Sequence, residues 1–411
     1  MAQAPINIDA TMAGRKASPS FVEFIVILSM MMSLTALSID AMLPALPEIG
    51  DDLGVTNANQ RQLVISLIFL GSALGQLFFG PLSDRTGRKP AIYAGYTLFI
   101  IGSLTSLFSV NFPMMLSGRV LQGLGMSAPQ AVTLALVRDQ FEGRRMARVM
   151  SFVMTVLILV PMIAPTIGQG ILSLAGWRSI FGIFMVFALF TSGWFALRIP
   201  ETLTPEKRAP FSLKRFVTSI QAIIKIRETL AYMMGAGLIN GIFLGYLNSS
   251  QQIFQEQYDL GDLFPIFFAI ISLSLGLASF LNARLVMRYG MDTLVQRALY
   301  FVFGMAVIFL GVSAAFAGDP PLWLLMAHLL VIFFCVGILF GNLNTLAMQP
   351  LGHLAGIGAA MVGSFSTLTS MLLGTIIGQN YNGTIIPLVI GMVTLFGTAI
   401  FVIRWLAPTT N

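Results

Sequence analysis

The chain has 411 residues, of which 56% are hydrophobic and only 10% are charged. Soluble domains carry about 25% charged residues, so this composition excludes an ordinary soluble domain and predicts an all-α integral membrane protein. The formal net charge is +6, but the basic residues lie between apolar runs, where they set orientation in a bilayer. We therefore expect the lipid bilayer as a partner and no nucleic acid.

Apolar runs of membrane-spanning length follow one another along the chain, and one long polar stretch divides them into two sets of six. The division predicts a tail over residues 1–21, a six-helix half over 22–199, a linker over 200–228, a second six-helix half over 229–406 and a tail over 407–411. The twelve predicted spans lie near residues 23–47, 60–82, 91–110, 114–137, 147–173, 178–198, 230–255, 263–284, 294–316, 321–348, 356–380 and 384–406.

The Lys and Arg residues fall almost entirely on one side of this predicted topology. An excess of basic residues in short loops marks the cytoplasmic side of a membrane protein. If the N-terminus lies inside, the basic loops are those after the second, fourth, sixth and eighth spans. We therefore expect both termini, and the linker between the halves, to be cytoplasmic.

The loop between the second and third spans, Gly80–Pro90, has the sequence GPLSDRTGRKP. Gly80 and Pro81 are expected to end the preceding helix, and Asp84 can face a helix N-terminus, where a negative charge is favoured. Two interpretations stand beside each other: a charged turn that only sets orientation, and a specific loop motif. The basic residues of the loop are Arg85, Arg88 and Lys89.

Three ionisable residues lie well inside predicted spans, namely Asp40, Arg119 and His328. Burying such a side chain at a span centre costs at least about 2.5–3.5 kcal/mol, so each one requires a reason. Their predicted depths agree, which makes Asp40 and Arg119 candidate partners across one cavity, with His328 at the same level. The alternatives are a fixed ion pair that locks two helices or an acid that changes protonation, and for His328 a hydrogen-bonded or headgroup-level residue.

Polar residues recur at helical spacing on the fourth and seventh spans, as expected for faces on an aqueous cavity. Hydrogen bonding between helices of a bundle would give the same pattern, so both interpretations remain open. The candidates for substrate binding are Met126, Gln130, Asn240, Phe243, Asn248, Asn344 and Phe365.

The two predicted halves carry a weak internal echo. A shift of about 200 residues places Arg85 and Gly87 over Arg288 and Gly290 at equivalent loops. The same shift places Phe243 over Asp40, so the charged residues inside the spans belong to the N-terminal half alone.

Several stretches together resemble one family. Gly80–Pro90 is similar to the first cytoplasmic-loop motif of the major facilitator superfamily, and Arg119–Gly123, RVLQG, to its fourth-helix motif. Ser38–Ile49 resembles the acidic first-helix motif of twelve-span drug:proton antiporters, and Pro161–Gly170 their fifth-helix motif. The sequence PETL at Pro200–Leu203 fits the end of the sixth span. The resemblance is closest to the bicyclomycin/chloramphenicol-resistance branch of these antiporters.

The resemblance implies a role for each matching residue. Asp40 would bind the proton, and Arg119 with Gln122 would couple its protonation to the substrate. The loop would form a cytoplasmic latch, with Asp84 facing the N-terminus of the span that begins near Gly356. The fifth-helix motif departs from the family pattern, since Ala164 and Gln169 stand where glycines are usual. The latch residues would be Gly80, Asp84, Arg85, Gly87, Arg88 and Asp139.

The expected function is proton-coupled multidrug efflux by alternating access across the bacterial inner membrane, by a multi-pass monomer. Its substrates would be small hydrophobic or amphipathic drugs, and its energy the proton gradient, with no cofactor and no metal. The alternative is a proton-coupled transporter of one specific small metabolite. An enzyme is not expected, because no nucleophile–base pair or ligand cluster is found among two histidines, one cysteine and a lone internal acid.

Overall fold

Thirteen α-helices are found in the part of the chain that the computed structural model describes, residues 19–208 and 213–407. The outer parts of the two predicted tails and the middle of the predicted linker, residues 1–18, 408–411 and 209–212, lie outside the described residues. The helices are α1 (Phe21–Asp40), α2 (Leu46–Asp52), α3 (Leu63–Thr86), α4 (Arg88–Leu107), α5 (Phe112–Gln140), α6 (Gly143–Arg198), α7 (Leu213–Lys225), α8 (Arg227–Gln251), α9 (Phe264–Tyr289), α10 (Met291–Ala315), α11 (Leu322–Met348), α12 (Ala355–Gln379) and α13 (Ile386–Leu406).

Twelve crossings result from these helices, because α6 crosses twice. Eleven helical stretches of the described chain are long and apolar enough to span a bilayer. One of them is α6, whose 56 residues are more than twice the roughly 20 residues that a single crossing needs. Gly176 breaks α6 with a backbone φ of 73°, so residues 143–175 and 177–198 form separate helices. The predicted all-α fold with two six-helix halves is confirmed.

The first span is interrupted at its acid. The sequence predicts one helix over residues 23–47, but α1 ends at Asp40 and a 3-10 turn, Leu43–Ala45, leads into the short helix α2. Pro44 explains the difference, because it lacks the N–H needed to continue the helix and also restricts the residue before it. Asp40 therefore lies at a helix end and not inside a helix.

Glycines allow the helices of the N-terminal half to pack closely. A Cβ atom at Gly123 of α5 would overlap the carbonyl oxygen of Ile68 on α3, and one at Gly125 would overlap the backbone of α4 near Gly95 and Phe99. Small residues at such positions let helix backbones approach each other in a membrane bundle. The glycine of the fourth-helix motif thus sets the distance between α3 and α5.

The two ends of the bundle are distinguished by their charged residues. Arg88 lies near Asp139, and at the same end Arg198 lies near Glu23; we call this the Arg88 end. Arg61 contacts Asp51 and Glu256 at the other end, which we call the Arg61 end. These ends position the contacts between the two halves.

The halves contact each other mainly through α3 with α12 and through α6 with α9. Along α3 and α12 their hydrogen bonds run from Asn59 and Gln379 at the Arg61 end to the pairs Ala73–Ser364 and Gln76–Thr367. Among the described residues, no hydrogen bond or ion pair joins the halves beyond this point toward the Arg88 end. The structure is therefore closed at the Arg61 end.

The loop joints of the two halves repeat each other. Gly87 connects α3 to α4 with a φ of 108°, and Gly290 connects α9 to α10 with a φ of 77°. Positive φ values of this kind favour glycine. The two glycines that the internal echo aligns thus occupy the same kind of joint.

Candidate functional site

The Arg88 side chain gathers the charged residues of the predicted latch. Its Nη1 donates to Asp84 at 2.6 Å and to the Ser83 hydroxyl at 2.9 Å. Its Nε donates to Asp139 at 2.9 Å. Arg88 is buried while Asp84 is half exposed. The cluster thus joins the α3–α4 joint at Gly87 to the end of α5. The expectation that Gly80 and Pro81 end the preceding helix is wrong, because α3 continues through Pro81 to Thr86.

A residue that sequence analysis did not assign, Glu201, completes this cluster. Its carboxylate accepts from the backbone N–H groups of Arg88 and Lys89, both at 2.9 Å. These are the first residues of α4, whose N–H groups have no partner within the helix. Thr202 donates to Asp139 at 2.9 Å. The PETL stretch that follows the sixth span therefore caps α4, and only its match to the family pattern indicated that it mattered.

The other predicted latch residues differ in their surroundings. A Cβ atom at Gly87 would lie 2.7 Å from the Glu201 carboxylate, so this position needs glycine for space as well as for its positive φ. Gly80 faces Ala360 of α12. Arg85 is exposed and forms no ion pair with the described residues.

The expected contact between Asp84 and the start of α12 is absent. Within the described ranges, Asp84 bonds only to Arg88. The reason is the sharp joint at Gly87, which brings Arg88 at the start of α4 within 2.6 Å of Asp84 in the last turn of α3. The described residues therefore do not form the pairing with the span beginning near Gly356 in this arrangement of the halves, and that pairing stays a prediction.

Arg119 is fully buried and is held by uncharged acceptors. Its Nε donates to the carbonyl oxygen of Val64 at 2.8 Å, and its Nη2 to that of Ser38 at 2.9 Å. Its Nη1 donates to Gln122, whose amide in turn donates to the Ser103 hydroxyl at 2.9 Å. The fourth-helix motif therefore joins α5 to α1, α3 and α4.

Asp40 has no ion pair and no hydrogen-bond partner for its side chain among the described residues. The side chain is only 4% exposed. The predicted Asp40–Arg119 partnership is therefore wrong for this structure. The physical reason is that α1 ends at Asp40, so that Arg119 can donate to the Ser38 carbonyl in its last turn. The guanidinium also donates to the Val64 carbonyl and the Gln122 side chain. A buried carboxylate without a partner is costly, which makes Asp40 a candidate functional position.

Tyr246 of α8 lies within electrostatic range of Asp40 from the other half. Its hydroxyl is buried and has no partner among the described residues. Its ring packs on Phe333 at a centroid distance of 4.7 Å and on Phe268 at 5.9 Å. Phe243 joins the same aromatic group through Phe333. Sequence analysis named Phe243 but missed Tyr246, whose hydroxyl gives no signal in a hydropathy pattern.

The remaining substrate candidates are not gathered in one place. Met126 is buried and its sulfur accepts from the Ser38 hydroxyl at 3.7 Å, beside the end of α1. Asn248 is fully buried and donates to Ser66 at 3.0 Å, so it lies in the contact between the halves and not on an open cavity face. Gln130 and Asn344 are exposed, while Asn240 and Phe365 are half-buried.

Amide side chains close the Arg61 end. Asn59 donates to the carbonyl oxygens of Gln379 and Tyr381 at 3.0 and 2.8 Å. Gln62 bonds to Gln252, which lies in a π-helical turn at the end of α8. Burial, with Glu256 nearby, raises the pKa of Tyr381 to about 12. The amide and tyrosine groups that join the halves here are therefore uncharged over the physiological pH range, while Arg61 and Glu256 add one ion pair between the halves.

One of the two unusual fifth-helix residues, Gln169, also lies in a contact between the halves. Gln169 donates to Asp262 at the start of α9, at 2.9 Å. A Cβ atom at Gly168 would overlap the carbonyl oxygen of Ala41, directly after Asp40, and Ala164 is fully buried. The helix thus packs against the eighth span without the usual glycines, because Gln169 adds a polar contact between them.

His328 does not share a site with Asp40 or Arg119. Its ring stacks on Phe309 of α10 with a centroid distance of 3.9 Å, and it is only 4% exposed. Neither ring nitrogen has a hydrogen-bond partner in the described part of the chain. Of the interpretations that the sequence allowed, a hydrogen-bonded residue is wrong here, a buried ring stacked on Phe309 does not support a place on an open cavity face, and a headgroup-level residue stays a prediction.

Residues 26–374 match the family model of the Major Facilitator Superfamily. The chain belongs to the major facilitator superfamily. This confirms the family that the loop and helix motifs predicted. It also confirms that the chain is a transporter and not an enzyme, since the superfamily consists of transporters.

Relatives of known sequence extend over nearly the whole chain. It is 30% identical to the uncharacterized MFS-type transporter YdgK of Bacillus subtilis, covering 90% of this chain and 94% of that protein. The chain is 29% identical to the bicyclomycin resistance protein homolog of Haemophilus influenzae, and the match covers 90% of this chain and 92% of that protein. The chain is 26% identical to the multidrug resistance protein MdtL of Citrobacter koseri, and the match covers 86% of this chain and 88% of that protein. The predicted resemblance to the bicyclomycin-resistance branch is confirmed.

Solved structures agree in fold. A D-xylose-proton symporter gives a TM-score of 0.73 at 14% identity, covering 95% of this chain and 99% of that one. The human organic anion transporter MFSD10 gives a TM-score of 0.71 at 16% identity, and the match covers 94% of this chain and 100% of that one. At these identities the likeness concerns the arrangement of helices alone.

Proposed function

We propose that this transporter exports small hydrophobic or amphipathic drugs from the bacterial cytoplasm in exchange for protons. It would act as a monomer in the inner membrane, with both termini and the Arg88 end in the cytoplasm. The basic residues at the Arg88 end support this orientation. The names of two relatives, a bicyclomycin resistance protein homolog and a multidrug resistance protein, support drugs as the substrate class.

The observation that carries the proposal is the unpaired carboxyl group of Asp40. It lies at the break in the first span, buried, without an ion pair among the described residues and within electrostatic range of the other half. A group in this position can take up a proton without breaking an existing salt bridge. Arg119 and Gln122 fix the end of α1 through Ser38, so protonation at Asp40 is sensed next to a rigid polar network.

The contacts between the halves support alternating access. In this structure they close the Arg61 end, which would face the outside, and leave the Arg88 end without a bond between the halves in the described ranges. The Arg88–Asp84–Asp139 cluster would act as the latch on the cytoplasmic side. Phe243 and Phe365, both half-buried on the C-terminal half, would contribute apolar surface to the substrate site, with Met126, Gln130, Asn240 and Asn344 as further candidates.

Inside-out vesicles test the proposal directly. Wild type should accumulate ethidium or chloramphenicol when respiration acidifies the lumen, and an uncoupler should abolish the accumulation. Asp40→Asn should lose the gradient-driven component. Asp259→Asn is the matched control, because Asp259 is exposed and its φ of 49° is one that asparagine tolerates; it should behave as wild type.

Two results would contradict the proposal. Gradient-driven transport that persists in folded Asp40→Asn would remove Asp40 from proton coupling. A wild type that is folded in the vesicles but moves neither compound would favour the alternative, a proton-coupled transporter of one specific metabolite.

A further inference from the structure

Two buried polar groups from opposite halves lie within electrostatic range of each other, and neither has a partner among the described residues. Asp40 at the end of α1 is 4% exposed, and Tyr246 on α8 is 1% exposed. Neither side chain has a hydrogen bond in the described part of the chain, although Tyr246 lies within electrostatic range of Asp40. The helix α8 also contacts the 3-10 turn Leu43–Ala45 that follows Asp40. Buried polar groups normally find partners, so this pair requires an explanation.

The Tyr246 ring is fixed within the C-terminal half. It packs at 5.9 Å and an interplanar angle of 17° on Phe268 of α9, and at 4.7 Å on Phe333 of α11. Both phenylalanines are about 1% exposed. The ring therefore cannot swing toward Asp40 by itself, and the separation between hydroxyl and carboxylate changes only when the halves move.

The remaining charged groups around Asp40 do not serve as its partner. Arg119 of α5 donates its hydrogen bonds to Val64, Ser38 and Gln122. The stretch of α6 over residues 149–176, which packs against α1, contains no ionisable side chain, and neither does α3 over residues 63–83. Tyr246 is thus the available hydrogen-bond donor that comes from the opposite half.

We propose that Tyr246 is a positioning residue of the C-terminal half that detects the protonation state of Asp40, donating its hydroxyl hydrogen bond to the carboxylate when Asp40 is ionised. This inference rests on the proposed role of Asp40 as the proton site. The tyrosine keeps its own proton throughout, and only Asp40 gains or loses one. In this structure the bond is open. Closing it requires a relative movement of the halves, so loss of the Asp40 proton would favour a different arrangement from its uptake.

Infrared titration of the purified full-length protein tests this without a transport substrate. The carbonyl band of a protonated carboxyl group is assigned to Asp40 by its absence in Asp40→Asn. Tyr246→Phe keeps the ring and removes only the hydroxyl. The ionised carboxylate then loses a donor, so the band should persist to a pH higher by about one unit or more.

Tyr96→Phe is the matched control. Tyr96 on α4 is also buried, and its hydroxyl is also unpartnered among the described residues, but Asp40 exerts no electrostatic effect on it. Its variant should leave the midpoint unchanged. If Tyr246→Phe shifts the midpoint no more than Tyr96→Phe does, the tyrosine only packs and the inference is wrong.

A second readout separates this inference from the proposed function. If Asp40→Asn abolishes gradient-driven ethidium transport while Tyr246→Phe leaves its pH profile as in wild type, only the role of Tyr246 fails. If Asp40→Asn transports as wild type does, the proton site itself is misassigned. Tyr246→Phe in the Asp40→Asn background should add no further effect, and an additional loss there would also contradict the coupling.

Discussion

Replacing Glu201 with alanine removes the carboxylate that caps α4. Glu201 accepts from the N–H groups of Arg88 and Lys89 at 2.9 Å each. Loss of a side-chain cap costs about 1 kcal/mol and up to about 2. Loss of a negative charge at a helix N-terminus costs about 0.3–1 kcal/mol more. We therefore expect Glu201→Ala to reduce the free energy of unfolding by about 1.5–3 kcal/mol.

The melting temperature of the detergent-solubilised protein measures this loss. A change of 1 kcal/mol shifts Tm by about 2–4 °C in a unit of about 150–250 residues, so a drop on the order of 5 °C is expected. Glu201→Gln keeps one acceptor oxygen and should fall between wild type and Glu201→Ala. Glu142→Ala is the matched control, because Glu142 is exposed and precedes α6 at the same end without a side-chain cap hydrogen bond.

The cap is refuted if Glu201→Ala has the same Tm as the control Glu142→Ala. It is also contradicted if Glu201→Gln is as unstable as Glu201→Ala, since the one acceptor oxygen that glutamine keeps would then contribute nothing to the cap. A loss of transport in Glu201→Ala without a change in Tm would place the residue in the movement of the halves instead of in the stability of the N-terminal one.

Two further predictions concern helix packing. Gly123→Ala should lower Tm, because its Cβ atom would overlap the Ile68 carbonyl oxygen and overpacking costs about 1–3 kcal/mol. Gly193→Ala is the control and should not lower Tm, because Gly193 has open space around it. Equal Tm values for the two variants would contradict the close packing of α5 on α3. Gln169→Gly should remove the bond to Asp262 and raise the population open at the Arg61 end by about 2- to 10-fold. Distances between spin labels on α6 and α9 measure that population, and an unchanged distribution would show that the bond does not hold this end closed.

The sequence predicted well those features that depend on composition and local pattern. Apolar runs gave the number and order of the spans, because backbone hydrogen bonds in a bilayer must be satisfied within helices. The basic loops gave a topology. The loop motif at Gly80–Pro90 and the RVLQG stretch gave the family, which the match over residues 26–374 confirms.

The polar contacts inside the bundle were predicted less well. Asp40 and Arg119 lie at similar depth, yet Arg119 bonds to the carbonyls of Val64 and Ser38. Depth along a span gives no information on which helix face a side chain occupies or which backbone oxygens are free. The break at Pro44 could have been predicted, because a proline at that position cannot continue the ladder of hydrogen bonds.

The sequence by itself determined the membrane-spanning class, the twelve crossings, the division into two halves and the family. These follow from hydropathy, charge placement and short motifs, which act over distances of a few residues. Only the tertiary structure decided that Glu201 caps α4, that Gln169 bonds across the halves and that Asp40 is buried without an ion pair among the described residues. Each of these contacts joins residues far apart in the chain, so its geometry exists only once the helices have packed.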